Sequence, residues 1–306
     1  MPPAPAWIML EVRPKFSVTH LTRFERECLR RTHYEIIAPL PFDSPAASIG
    51  TEFHARVADR YSQEYHCEVG VDESRPPHDP PSQEVKVLAA DMTEFFWTNR
   101  RSVDAQLQEI VELEGRIELP QMTPSGEALV VGHFDMLYRD TMGRLWIRDW
   151  KTKGKLPTNY SWMFLDTQRA FYIAGIEAKY GESVFGFEHI LVRREVPPGV
   201  GTRSERTASG RLSTASRNPR DYIRAERTLV PENALRRKAW LDAGARLVER
   251  RLTEKEWVRQ PGQNCAFCPY FAPCVREYEG ETVGVEEFSQ IASMLALSNS
   301  ASSPQE

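Results

Sequence analysis

Residues 128–153 read ALVVGHFDMLYRDTMGRLWIRDWKTK. The apolar runs on either side of Asp140 to Gly143 predict two strands joined by a turn, because Asp and Gly supply the side-chain hydrogen bonding and backbone freedom that tight turns need. Side chains alternate along a strand, so Leu145, Ile147, Asp149 and Lys151 share one face while Trp146, Arg148 and Trp150 take the other. Taken alone, an acid and an ammonium at i and i+2 are two solvated charges worth little. Asp135 changes the balance. It falls in the middle of the first strand among apolar neighbours, where a carboxylate is costly unless it is paired or holds a metal. Two acids on adjacent strands, with Lys151 two residues past the second, would bind a hard divalent cation and set a protein cation beside it.

The 306 residues are 41% hydrophobic and 27% charged with a formal net charge of -4, the make-up of an ordinary soluble protein. That length suits one large domain or two small ones. No run approaches the roughly 18–20 apolar residues of a membrane span, and the start from Met1 to Ala6 lacks the features of a signal peptide, so the expectation is a cytoplasmic protein with no membrane partner. The acidic balance argues against a protein that coats nucleic acid by bulk charge. Locally the picture differs: between Arg193 and Arg227 nine arginines stand against four acids, in a stretch rich in Ser, Thr, Gly and Pro. It reads as a long, mobile, basic loop, either a solvated insertion or a phosphate-contacting one.

Along the chain, SVTHLTRFERECLRRTHYEI (17–36) predicts one capped helix carrying Leu21, Phe24, Cys28 and Leu29 at helical spacing, and SIGTEFHARVADRYSQEYH (48–66) predicts a second with Phe53, Val57 and Tyr61 on one stripe. A Pro-rich linker precedes a third helix at about 84 to 99 and a strand at about 109 to 119. After the strand pair, residues 161–181 predict a helix stopped by Gly181, FGFEHILVRRE (185–195) a further strand, and about 232 to 258 a last long helix. This order suggests one α/β domain whose mixed sheet holds the acids centrally.

Gly132-His133-Phe134-Asp135, Asp149-Trp150-Lys151-Thr152 and Gln168-Arg169-Ala170-Phe171-Tyr172 follow one another as G-x-x-D, D-x-K-T and Q-x-x-x-Y, and Gly50-Thr51-Glu52-Phe53-His54 supplies G-x-x-x-H upstream. In this order, over residues 50 to 172, the four motifs resemble the signatures of RecB-like nucleases in the PD-(D/E)XK superfamily. The resemblance implies a restriction-endonuclease-like α/β core, a central mixed sheet flanked by helices, in a single nuclease domain over residues 1–283; the tail at 284–306 ends in a Ser-rich, low-complexity run, so disorder is expected at its end. It implies that His54, Asp135 and Asp149, with the carbonyl of Trp150, ligate Mg²⁺ or Mn²⁺, and that Lys151 positions the attacking water or stabilises charge on the phosphorus. Oxygen-rich octahedral sites suit both ions, and an imidazole tilts the choice toward manganese. Gln168 and Tyr172, one helical turn apart, would support the site or the DNA backbone, although Tyr172 also suits core packing. Glu112 and Glu114 are further acids near the site with no role assigned.

The cysteines carry a second signal. Cys265, Cys268 and Cys274 form C-x2-C-x5-C, and clustered thiols in a reducing compartment suggest metal, with zinc one occupant. The spacing resembles the iron-sulfur nucleases of the superfamily, the CRISPR-associated RecB-like exonucleases and the nuclease domain of AddB. That resemblance implies a [4Fe-4S] cluster held by Cys28, Cys265, Cys268 and Cys274, joining N- and C-terminal helical regions. Leu29 departs from the pattern, which usually has proline there, and Cys67 is the rival for the fourth ligand.

The function expected is therefore a metal-dependent DNA exonuclease or end-processing nuclease with a structural iron-sulfur cluster, acting on single-stranded DNA or free ends and working with protein partners in repair, recombination or CRISPR adaptation. Trp150, Trp162 and Phe164 would either stack on a strand or pack the core. A catalytically silent DNA-binding subunit of the same fold is the alternative, disfavoured because every catalytic position holds a competent residue. A redox protein would leave the ordered acids and Lys151 unexplained.

Overall fold

In the computed structural model, residues 14–26, 28–37, 45–70, 81–158, 167–230, 234–255, 259, 265, 268, 270–280 and 282 are described. Among them are six strands, β1 (Lys15–Ser17), β2 (Leu107–Thr123), β3 (Gly126–Asp140), β4 (Leu145–Lys153), β5 (Val184–Arg193) and β6 (Ile223–Leu229). The helices are α1 (Val18–Arg26), α2 (Leu29–Ile37), α3 (Pro45–Tyr65), α4 (Gln83–Asn99), α5 (Thr167–Tyr180), α6 (Ala234–Thr253) and α7 (Phe271–Tyr278). The strands form one mixed sheet in the order β1-β3-β4-β5-β6, with β2 paired to β3. This is the α/β arrangement that the sequence predicts, a central mixed sheet with flanking helices. None of the described helices is long and apolar enough to cross a membrane.

Alternation along the strands sorts the core into two layers, one on each face of the sheet. Phe134, Leu137, Ile147 and Phe187 pack with Phe171, Tyr172, Leu247 and residues of α1, while Met136, Tyr138, Trp146, Trp150 and Ile190 pack against Phe53, Val57 and Tyr61 of α3 and Phe96 of α4. The face assigned to Ile147 and the face assigned to Trp146 and Trp150 are as the sequence predicts. The helices at 84 to 99 and after the hairpin are found at α4 and α5.

Two expectations need correction. The predicted first helix is two, α1 and α2, and Cys28 lies in the non-helical break between them. The two pieces serve different packings: Leu21 and Phe24 of α1, with Leu29 at the start of α2, pack on the sheet, whereas Tyr34 further along α2 stacks on Tyr270 beside α7 at 5.4 Å. The basic stretch is no free loop either. Arg193 pairs with Glu195 at 2.5 Å and Arg217 with Glu205 at 3.5 Å, Arg203 also binds Glu195, and Thr202 is tied to Asp91 of α4. Two of the segment's four acids, Glu195 and Glu205, thus fold it back on itself, and its last residues form β6. The Pro-rich residues 71–80, Trp162, Phe164 and the tail from 283 onward lie outside the described residues.

A buried charge network fixes β4 from the face opposite Asp149. Arg148 and Glu188, both fully buried, pair at 2.6 Å, and Arg148 also binds Asp104 at 2.6 Å. Arg227 of β6 closes on the other Glu188 oxygen at 2.6 Å and Tyr138 donates to the same carboxylate at 3.2 Å. Removing one member of such a network strands a charge in the core. Arg148→Met is expected to destabilise the fold by about 3–5 kcal/mol, measured by urea denaturation; a cost near zero would show the network to be solvated.

Candidate active site at the opening of the sheet

One edge of β3 is shared by two partners. β1 pairs with Leu129, Val130 and Val131, whereas β4 pairs only with Met136 to Arg139. Residues 132–135, the Gly-His-Phe-Asp of the sequence motif, therefore have no strand partner on that edge among the described residues. Their polar groups find side chains and neighbouring backbone instead. The Tyr172 hydroxyl donates to the His133 carbonyl at 2.6 Å and accepts from Gln168 Nε2 at 2.8 Å. Asp135 Oδ2 accepts the backbone N–H of Trp150 at 2.6 Å, bridging the strands where the ladder stops. Gly132 is needed for this approach: a Cβ there would meet Tyr172 Cε1 at 2.7 Å and Val18 Cγ2 at 2.8 Å.

The opening lets groups from both faces meet. On one side, α3 comes close to the end of β4, where a Cβ on Gly50 would lie 3.1 Å from Thr152 Oγ1, and one turn later His54 Nδ1 sits 3.2 Å from Asp135 Oδ1. On the other, Lys151 Nζ is 2.8 Å from Asp149 Oδ1. Ligand atoms of His54, Glu114 and Asp135 all lie within 4.8 Å of one another, the arrangement a metal ion needs. Glu114 reaches the group from β2, whose register against β3 slips just before it, and it holds a left-handed backbone at φ 49°. A non-glycine residue in that region stores strain of order 1–3 kcal/mol, and such strain tends to collect at functional sites.

The structure brings His54, Asp135, Asp149, Lys151, Gln168 and Tyr172 to this one opening. Asp149 is not part of the group within 4.8 Å; it stands on the Lys151 side, and its Oδ2 is buried with no hydrogen-bond partner among the described residues. An orphaned carboxylate oxygen in the interior is expensive, and a divalent cation would satisfy it. Trp150 is fully buried between Tyr61 and His54, so it packs the core and cannot stack on a strand. Glu112 is used elsewhere, bound by Lys179 at 2.7 Å. His189, paired with Asp149 across β4 and β5, carried no role in the sequence reading; a Glu-His pair inside the apolar run 184–192 was the available signal.

Electrostatics follow the same geometry. Burial alone would push the His54 imidazolium to lose its proton, but the Asp135 carboxylate beside it raises the imidazole above its ordinary range. Burial would raise Asp135, and His54 instead holds it low. Burial lifts Asp149 to about 6, opposed by Lys151 and assisted by Asp135. Lys151, which burial would lower, is raised by Asp149 and Asp135 together. Burial, with Lys151 and Arg169 nearby, lowers His189 to about 3, so it is neutral near pH 7.

The cysteines fall in two places. Cys67 packs beside the α3 and α4 core, whereas Cys268 and Cys274 pack against the Tyr34–Tyr270 pair. None of the five forms a disulfide, and no three cysteines among the described residues bring their sulfurs within 4.8 Å of one another. Burial raises the Cys268 thiol, with Cys274 and Cys28 adding to the rise. Glu277 of α7 binds Arg30 and Tyr34 of α2, so the region of Cys28 and that of Cys268 and Cys274 are joined.

A family model for the PD-(D/E)XK nuclease superfamily matches residues 15–275. A solved structure titled "Crystal structure of SSO0001" is 12% identical, with 85% of each chain covered and a TM-score of 0.42. No curated protein matches the chain.

A carboxyl that titrates near 6 in the fold and near 3.8 in the unfolded chain favours the fold below pH 4, and that stabilisation is lost as pH rises to about 6. Asp149→Asn stays neutral and escapes the loss. In chelator-treated protein its stability relative to wild type should therefore grow by about 3 kcal/mol between roughly pH 4 and pH 7. Urea denaturation at each pH checks this; a difference that does not change with pH would refute it.

Proposed function

The chain belongs to the PD-(D/E)XK nuclease superfamily, and from that premise we propose that it is a metal-dependent DNA exonuclease or end-processing nuclease. The observation that carries the reading is the opening beside β3, where three ligand atoms converge and the buried Asp149 oxygen lacks a partner. His54, Glu114, Asp135 and Asp149 would hold Mg²⁺ or Mn²⁺, with the Trp150 carbonyl as a further oxygen donor. Bound there, a divalent ion would polarise the scissile phosphate and lower the pKa of a water to give hydroxide.

The remaining work belongs to the protein. Lys151, held beside Asp149, provides a compact positive charge for the oxygens of the pentacovalent phosphorus. An arginine would place a broad fork where a point charge is needed. Tyr172 and Gln168 keep the open edge of β3 satisfied, so the acids hold their positions without a neighbouring strand.

Asp149→Ala and Lys151→Ala are expected to abolish cleavage of end-labelled single- and double-stranded DNA while DNA binding survives. Chelator should stop the wild type, with Mg²⁺ or Mn²⁺ restoring it. Asp135→Ala should cost about 1–3 kcal/mol of stability besides, because it strands the Trp150 N–H. Full cleavage by Asp149→Ala would overturn the mechanism, and DNA binding without any cleavage by wild type would favour the silent subunit.

The second part of the proposal is a [4Fe-4S] cluster held by Cys28, Cys265, Cys268 and Cys274. Its support is the packing of Cys268 and Cys274 against one aromatic pair and the ties from Glu277 to α2. Protein purified without air should be brown with about four iron atoms per chain. Changing any of the four to Ser should bleach it, whereas Cys67→Ser should leave the colour intact. Stoichiometric zinc without iron would contradict the cluster and leave the nuclease site untouched.

A further inference from the structure

We propose that the cavity between β6 and the end of α4 binds backbone phosphates of the substrate strand, a subsite that rests on the nuclease reading above. The cavity measures about 470 Å³. Asn99 and Ser102, at and just beyond the end of α4, line it together with Arg220, Arg224 and Arg227, and no acidic residue does. Its volume suits part of a nucleotide chain better than a single ion. Asp221 and Glu226, though neighbours in sequence, are absent from its lining.

The arginines of this region divide by what they bind. Arg193, Arg203, Arg217 and Arg227 are each paired with a glutamate. Arg220, in the short helical turn before β6, is exposed and has no acidic partner among the described residues; Arg224, the second residue of β6, is exposed as well. Arg227, fixed by Glu188, gives the cavity a rigid wall rather than a mobile charge. A guanidinium fork matches the paired oxygens of a phosphate, and Ser102 adds a hydroxyl. Charge on an edge strand also guards against pairing with another chain. That purpose needs charge alone and would not need a concave wall built from two different elements.

Distance gives the subsite its meaning. β6 is two strands from β4, or about 10 Å at the usual strand spacing. The cavity would therefore hold phosphates other than the one being cleaved, beyond the reach of a substrate with a single phosphate. A substrate too short to span that distance gains nothing from it.

The test compares wild type with the double variants R220A/R224A and R220K/R224K. Hydrolysis of bis(p-nitrophenyl) phosphate with Mn²⁺ reads the metal site alone, and anisotropy of a long single-stranded oligonucleotide in chelator reads binding. R220A/R224A should hydrolyse the small diester at the wild-type rate. It should bind the oligonucleotide about tenfold more weakly at roughly 0.15 M salt, with the slope of log affinity against log salt smaller by about 1.4. The lysine variant should keep most of the slope. Unchanged affinity and slope in R220A/R224A would overturn the subsite. Failure of the wild type to hydrolyse the diester would sink the nuclease reading instead, while weakened oligonucleotide binding in the same variant would still support the cavity as a phosphate site.

Discussion

The edge of β3 that is divided between β1 and β4 sets the terms for everything around it. A strand whose edge is left open over residues 132–135 exposes polar backbone inside a fold, and buried backbone groups must be satisfied. The motif residues answer that need before they answer any chemical one. Tyr172 takes the His133 carbonyl, the Asp135 carboxylate takes the Trp150 N–H, and Gly132 makes room for the tyrosine ring. The opening that forces these contacts is also what allows acids on β3 and β4 to stand near each other without a ladder between them.

Such a gap would collapse or flood unless its walls were stiff. The reverse face of β4 is pinned by Arg148, whose guanidinium reaches Glu188 and Asp104, and by Trp150, wedged among aromatic rings from α3. On the other face α5 closes with Phe171 and Tyr172. Asp149 sits between these layers, and that is why its carboxyl is shifted so far while Asp135, with an imidazole at 3.2 Å, is shifted the other way. Two carboxyls fourteen residues apart in sequence thus enter the site with opposite preferences for the proton. A divalent ion would remove the difference by stabilising both in ionised form.

Much of this was legible in the chain. Alternation from Leu145 to Lys151 gave the face of each side chain, and the spacing Gln168 to Tyr172 placed both on one side of a helix, where they are found hydrogen-bonded. Glu114 was visible only as an acid without a role. Its approach depends on a register slip in β2 and a left-handed backbone, neither of which a regular period-2 pattern contains. The break at Cys28 was hidden for a similar reason: the helical spacing of Leu21, Phe24 and Leu29 continues through it into one core layer, and only Tyr34, further along α2, turns to a separate cluster with Tyr270.

A net charge of -4 would seem to oppose any meeting with a polyanion, yet net charge decides little at the distances that matter. Ions screen exposed charges beyond about 8–10 Å, so a phosphate responds to the nearest few groups. Here two acids of the basic segment, Glu195 and Glu205, are paired with its own arginines, and the buried acids Glu188, Asp135 and Asp149 are matched by Arg148, Arg227, His54 and Lys151. What remains outward-facing is selected rather than abundant. An acidic chain arranged in this way would hold a strand at a few chosen phosphates and release it readily between them, a balance that suits an enzyme which must let its product go.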